Sequence, residues 1–295
     1  MAAMKFQRLL VCGVGLIGGS FALALKASGT VNEVVGLGRS WKSLQQARDL
    51  HIIDNIANSW EEVLPYSDLV LLSMPVGGMS EHFLQMASYL QDDTVICDAG
   101  STKSDIVAIA RQHLADKFSQ FVPAHPIAGA EHSGAAAASV DLFQGKRVVI
   151  TPLPETRLLA IGKIQSAWQD CGAIVNSMSH EEHDAVFAAV SHLPHMLAYI
   201  LVNALGQREN SKLLFEYAAS GFRDFTRIAS SNPEMWRDIT LSNREAILKE
   251  LDDYMQNMLH FRVLIAGATN RAEFLEDYFN FARQRREQWL QEQEI

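Results

Sequence analysis

The stretch Arg8–Gly29, "RLLVCGVGLIGGSFALALKASG", decides the fold. An apolar run, Arg8 to Cys12, enters Gly13-Val14-Gly15-Leu16-Ile17-Gly18, which matches G-x-G-x-x-G and opens an amphipathic helical stretch ending at Gly29. Strand, glycine turn and helix in that order form a dinucleotide fingerprint. Gly13 permits the tight turn, Gly15 lets backbone approach a pyrophosphate, and Gly18 lets helix and strand pack closely. The free N–H groups of the helix start, from Leu16 and Ile17 on, then face the phosphates.

Outward from this turn, short apolar runs alternate with helical ones. "EVVGLG", "DLVLLSMPV", "DTVICDAGS" and "RVVITPLP" read as β-runs, and "SLQQARDL" as a helix. Alternation of this kind implies an α/β domain, Rossmann-like, with a parallel sheet covered on both faces. After about Val175 the β-runs stop. "HEEHDAVFAAVSHLPHMLAYILVNAL" has helical apolar spacing, with Pro194 expected to break or kink it. Asn232 and Pro233 read as N-cap and first residue of a later helix, and the last helix is expected to start near Asn270. The expectation is therefore a dinucleotide-binding domain over 1–176 and an all-helical domain over 177–295.

Bulk composition narrows the function. The chain has 295 residues and a formal net charge of -9. That balance argues against a nucleic-acid partner and gives no reason for anionic membrane binding. No apolar run reads as membrane-spanning, and "MAAMKFQR" lacks the apolar core of a signal peptide. Cys12, Cys97 and Cys171 are odd in number and far apart, so buried reduced thiols and a cytoplasmic location are expected.

The second strand raises the cofactor question. In "EVVGLGRSWKS" (Glu33–Ser43) the position that usually carries a ribose-binding acid carries Arg39, followed by Ser40. A guanidinium there can hold a 2′-phosphate with charge-assisted hydrogen bonds, worth roughly 1.5–3 kcal/mol for a bond to a charged group. NADP is the expected cofactor, with NAD possible. The other reading of Arg39 is stacking on adenine or pointing to solvent.

Beyond the cofactor loop, "VPAHPIAGAEHSG" (Val122–Gly134) places His125 before a proline in a small-residue loop, with Glu131 six residues on. Histidine titrates near neutrality and is a natural base for a hydroxyl proton; packing or surface exposure is the other reading. Ser101, in "CDAGSTKSD", follows the fifth strand on the sheet edge where ligands collect, and also suits helix capping. "SHEEH" and "SHLPH" supply His180, His183, His192 and His195, but without cysteine or H-E-x-x-H spacing no metal is expected. "GFRDFTRIASSNPEMW" supplies Arg223 and Arg227, which suit either a carboxylate site or interhelical salt bridges.

Taken together, "HPIAGAEHSG", "DAGSTKSDI", "VSHLPH" and "GFRDFTRIASSNPEMWRDI" resemble the TyrA family, the prephenate/arogenate (cyclohexadienyl) dehydrogenases of tyrosine biosynthesis. The resemblance runs from about Arg8 through at least the helix holding Trp236. It implies that His125 is the catalytic base or hydrogen-bond acceptor for the ring hydroxyl, assisted by Ser101. It implies that His195 lies at the substrate, Arg227 clamps its carboxylate, Glu131 gates the site and Trp236 lines it. It implies a homodimer built on the helical domain. Arg39 departs from the family's acid, which puts strict NAD use in doubt. From a length of 295 residues, neither a fused chorismate mutase nor a C-terminal regulatory domain is expected. Two rivals remain. A β-hydroxyacid-type dehydrogenase would use a helix-borne lysine, for which only Lys212 and Lys249 are on offer. A non-catalytic NADP-sensing protein would not need His125, Ser101 and Arg227 together.

Overall fold

The structure is a computed structural model, describing residues 6–130, 132–267 and 271–293. Its strands are β1 (Phe6–Cys12), β2 (Val31–Leu37), β3 (Asn55–Ile56), β4 (Leu69–Leu72), β5 (Val95–Asp98), β6 (Phe121–Val122), β7 (Ala124–Pro126), β8 (Arg147–Ile150) and β9 (Ile174–Ser177). The helices of the first part are α1 (Leu16–Ala27), α2 (Trp41–Asp49), α3 (Trp60–Val63), α4 (Met79–Met86), α5 (Ser104–Leu114) and α6 (Leu158–Asp170). After β9 come only helices: α7 (His180–Phe187), α8 (Leu193–Gly206), α9 (Ser211–Glu216), α10 (Ser220–Thr226), α11 (Pro233–Ser242), α12 (Arg244–Ala266) and α13 (Arg271–Gln293). The start expected near Asn270 falls on a residue outside those described.

Six strands form one parallel sheet in the order β3-β2-β1-β4-β5-β6. The order reverses between β1 and β4, which opens a crevice at the carboxyl ends of those strands. Successive residues of each strand face opposite sides. Leu9, Val11, Leu69 and Leu71 thus enter one core with Phe21 and Trp168. Leu10, Cys12, Val70 and Leu72 enter another with Phe83 and Phe121. Both faces are covered, as a parallel sheet requires.

One β-run departs from the expected single parallel sheet. β7, β8 and β9 form a separate three-stranded sheet in which β7 and β8 are antiparallel. The cause is Pro123, between β6 and β7. It has no N–H to continue the first ladder, and its carbonyl instead accepts from Thr151 N at 2.9 Å. The chain turns out of the first sheet there and carries His125 into the second.

Two helical expectations resolve differently. Asn232 caps α11, its side chain accepting from Met235 N at 3.0 Å, with Pro233 as the first helical residue. Pro194 does not break its helix. A π-helical segment, Ala188–His192, precedes it and joins α7 to α8. Pro194 has no N–H to donate and its ring crowds the preceding turn; the wider π turn accommodates both. The continuous run His180–Gly206 is long and apolar enough to cross a membrane by length and composition, contrary to the sequence reading. It also carries Asp184, 5% exposed, and His183 and His192, all hydrogen-bonded to other elements, which suits a helix packed within a protein.

The residues up to Ile247 form one compact unit and those from Leu248 a second. The change of periodicity near Asn176 marks the end of β9, while α7–α11 remain in the first unit. α11 is docked there against the turn Val76–Gly78: a Cβ on Gly77 would lie 2.6 Å from Asp238 Oδ2, so only glycine permits this approach. The second unit is strongly apolar outside, with Met258 57% and Phe274 61% exposed. Neither is monomer core, and Tyr254 is exposed as well.

The anchor of the first core is Trp168, fully buried, with ring centroids 4.5 Å from Phe21 and 5.1 Å from Phe143. Trp168→Ala is expected to lower unfolding stability by about 3–5 kcal/mol. Urea unfolding measures it, and a loss under about 1 kcal/mol would contradict this packing.

Candidate active site

The glycine loop sits at the crevice between β1 and β4. Gly13 has φ 93°, and a Cβ there would meet Ser73 and Met74 backbone at 2.9 Å. Gly18 would place one 2.6 Å from Gly13 O. Ser73, which the sequence reading missed, closes the loop by donating from Oγ to Gly13 O at 2.8 Å. Gly15, by contrast, has open space where a Cβ would stand. The start of α1 faces that space, with Gly15, Leu16 and Ile17 on the cavity wall. These residues fit a dinucleotide pyrophosphate. At the end of β2, Arg39 is exposed and Ser40 caps α2, its Oγ accepting from Ser43 N at 3.2 Å. The Ser40 hydroxyl proton remains available to a ligand.

The cavity has a volume of about 1120 Å³. Its wall brings together the glycine loop, Ser101, His125 and Arg227, residues up to 212 positions apart in sequence (227 minus 15). Arg227 is exposed to this space and makes no ion pair among the described residues. Arg223 lies outside the wall and pairs with its neighbour Asp224 at 3.6 Å. His195 and Trp236 are not on the wall. They stack on each other at 3.8 Å between ring centroids, with Trp236 buried, and His195 Nδ1 donates to Ser191 O at 2.8 Å. Glu131 lies outside the described residues.

His125 is held from behind by a buried polar network that the sequence reading passed over. Lys103 Nζ donates to the Asp98 carboxylate and, at 2.8 Å, to Ala124 O. Asp98 accepts from Ala124 N at 3.0 Å and Gly100 N at 2.8 Å. Both Lys103 and Asp98 side chains are fully buried. Asp98 and Lys103 stand three residues before and two after Ser101 in "CDAGSTKSD", so the signal was a paired acid and base around a candidate serine. His183, considered only as a metal ligand, bonds His125 Nδ1 at 2.9 Å through Nε2 and Asp184 Oδ1 at 2.8 Å through Nδ1. His180 bonds the Ser104 hydroxyl at 3.1 Å.

These histidines share an electrostatic bias. Burial, then the neighbouring His183, Lys103 and His192, hold His125 well below the usual imidazole value of 6.5. Burial also lowers His183 and His195. It takes His192 down to about 4. All four are therefore neutral at pH 7, the form in which an imidazole accepts a proton.

A model of the family described as prephenate dehydrogenase, nucleotide-binding domain, matches residues 21–177, and prephenate dehydrogenase, dimerization domain, matches 179–281. The chain belongs to the prephenate dehydrogenase family. It is 35% identical over 283 residues to a cyclohexadienyl dehydrogenase of Zymomonas mobilis, covering 95% of each chain. Among solved structures it resembles prephenate dehydrogenase of A. aeolicus, crystallised with hydroxyphenyl propionate and NAD+, at TM-score 0.91 and 36% identity, over 97% of this chain and 99% of that one. It also resembles the arogenate dehydrogenase of Synechocystis at TM-score 0.81 and 26% identity, over 96% of this chain and 100% of that one. The TyrA resemblance and the Rossmann-like fold with a helical C-terminal part therefore stand, and the chain is an NAD(P)-dependent dehydrogenase of tyrosine biosynthesis.

The low imidazole values have a consequence for stability. The folded protein keeps His192 neutral down to about pH 4, while the unfolded chain takes up a proton near 6.5. The unfolded state then binds more protons between these limits, so stability falls as pH falls through that window. His125, His183 and His195 act in the same direction. The urea midpoint is expected to be lower at about pH 5 than at about pH 7.5. An equal or higher midpoint at the acid pH would count against neutral, buried imidazoles.

Proposed function

We propose that this chain oxidatively decarboxylates a cyclohexadienol diacid, prephenate or arogenate, at the cavity shared by His125, Arg227 and the glycine loop. The observation that carries the reading is that one cavity has a neutral imidazole, a guanidinium without an ion pair among the described residues, and a pyrophosphate-type loop on its wall. His125 takes the proton of the ring hydroxyl. Arg227 holds a substrate carboxylate and so orients the ring. Ser101 assists beside His125. The dinucleotide, when bound, supplies the acceptor for the hydride that leaves the hydroxyl-bearing carbon. The ring carboxylate departs as CO₂ and the ring becomes aromatic, so the protein's work is to orient and deprotonate. His195, close enough to Arg227 to feel its charge, and Trp236 stacked on it line the substrate side in this reading; the family resemblance gives Glu131 its gating role.

NADP is the preferred cofactor in this reading, with NAD usable. Arg39 and Ser40 stand at the end of β2 with no carboxylate on the turn between them and α2. The A. aeolicus relative was crystallised with NAD+; the NADP reading here rests on Arg39 and Ser40 alone. The exposed apolar residues of α12 and α13 and the match to a dimerization domain support a homodimer, since such surface is normally covered. The three buried free cysteines suit a reducing, cytoplasmic setting. The natural functional division remains 1–176 for the dinucleotide and 177–295 for substrate and dimer. Lys212 and Lys249 are both exposed and off the cavity wall, which leaves the β-hydroxyacid reading without a catalytic lysine.

Kinetics with prephenate and arogenate, monitored by absorbance of the reduced cofactor, test the assignment. His125→Asn should lower kcat by roughly 10²–10⁴ with little change in KM. Arg227→Ala should mainly raise KM, by about ten- to a hundredfold. Near-wild-type turnover of the first variant, or a large fall in kcat with KM intact in the second, would sink the assignment. Arg39→Ala should reduce NADP-over-NAD selectivity by about ten- to a hundredfold; unchanged selectivity would end the role given to that guanidinium.

A further inference from the structure

We infer that His183, oriented by Asp184, is a positioning residue that dictates the tautomer of His125, so that His125 meets the substrate with an unprotonated Nε2. The inference rests on the reading of His125 as the base.

The argument runs outward from Asp184. Its carboxylate accepts from Lys103 N at 2.8 Å and Ser104 N at 2.7 Å, capping α5, whose own N-cap residue Lys103 supplies no side-chain bond. Burial pushes the Asp184 carboxyl up, but the bonds from His183, Ser104 and Lys103 outweigh it and hold the group below its usual value. It is therefore a carboxylate, which accepts and never donates. The atom facing it at 2.8 Å is His183 Nδ1, so that nitrogen carries the proton. His183 is fully buried and neutral, which leaves its Nε2 bare. That bare nitrogen lies 2.9 Å from His125 Nδ1. A hydrogen bond there needs one proton, and only His125 can bring it. His125 is thus protonated on Nδ1, and its Nε2 lone pair is left for the cavity.

A neutral histidine free in water favours the opposite tautomer, with its proton on Nε2. In that form the ring would present a donor to the substrate hydroxyl and could not take its proton there. The chain Asp184–His183–His125 removes this option before substrate arrives. Three further contacts keep the geometry. Phe187 packs against His125 at 4.8 Å and His183 at 4.5 Å between ring centroids. Asn243 Nδ2 donates to Asp184 O at 2.8 Å. The charged and titratable groups facing the pair are Lys103 and Asp98 from the β5–α5 side, Asp184 on α7, and His192 on the π segment. When His125 accepts the proton, the imidazolium still donates from Nδ1 to His183, so no bond has to be broken as the charge develops.

The test compares two substitutions at one position. His183→Phe fills the buried space but removes the acceptor, and it leaves the bonds of Asp184 to Lys103 and Ser104 in place. His183→Gln restores an acceptor near the Nε2 position. In ¹⁵N-histidine-labelled protein, the His125 ring nitrogens report the tautomer directly. The wild type and His183→Gln should show the proton on Nδ1. His183→Phe should show it on Nε2, with kcat for prephenate and NADP lowered by about 10²–10⁴ and KM within about threefold. His183→Gln should keep kcat within about tenfold of wild type. The inference is overturned if His183→Phe keeps the proton on His125 Nδ1, or keeps wild-type kcat, while His125→Asn is inactive. An active His125→Asn would instead overturn the proposed function, and this inference with it.

Discussion

The ammonium of Lys103 is the point on which the active region hangs. It is fully buried, and it is satisfied by the Asp98 carboxylate and the Ala124 carbonyl together. Asp98 returns the favour by accepting the Ala124 N–H. One residue, Ala124, is thereby gripped through both its backbone groups, and the next residue is His125. A buried ion pair of this kind is weak evidence for stability, because desolvation offsets much of the attraction. Its value is geometric. β7 is three residues long and leaves the main sheet at Pro123; few ladder bonds hold it, and the ion pair supplies the missing constraint.

The same backbone segment joins the two halves of the site. The turn from β5 into α5 carries Ser101 on the cavity wall, Lys103 beneath His125, and the N–H groups that Asp184 caps. α7 therefore docks on the nucleotide-binding part through a helix N-terminus, where a carboxylate is favoured by both unsatisfied donors and the helix dipole. Docking brings His183 to His125. The π segment after α7 then adjusts the helix around Pro194 and sets His192 and His195 on the side of Trp236. α11 closes the arrangement at Gly77, and the turn before it brings Arg227 and Asn232 to the cavity wall.

The cavity wall thus carries a neutral imidazole, His125, backed by the neutral His183, and an exposed guanidinium, Arg227. Burial first, and then His183 and Lys103, keep His125 uncharged, so that its lone pair is free to accept the substrate proton. Arg227 makes no ion pair among the described residues, so its charge is available to a carboxylate. A diacid that must lose a proton at one end while being held at the other is matched by this division of labour.

Much of this was legible in the chain itself. G-x-G-x-x-G after an apolar strand dictates the turn because only glycine tolerates Gly13's backbone and Gly18's crowding. Alternating β-runs and amphipathic helices dictate the layers, because burial on two faces leaves that pattern. Asn232-Pro233 marks a helix start through local hydrogen bonding alone. Short strands are different. β7 and β9 have three and four residues, too few for a periodicity to show, so β8 was read as a strand but not as the centre of a second sheet. The His125–His183 bond spans 58 positions, and no local rule links two histidines so far apart. Sequence determined which residues could do chemistry and which segments could bury themselves, since both follow from side-chain type and near-neighbour spacing. Only the tertiary structure decided which nitrogen faces which, because that depends on how a three-residue strand, a capped helix and a buried lysine come to share one space.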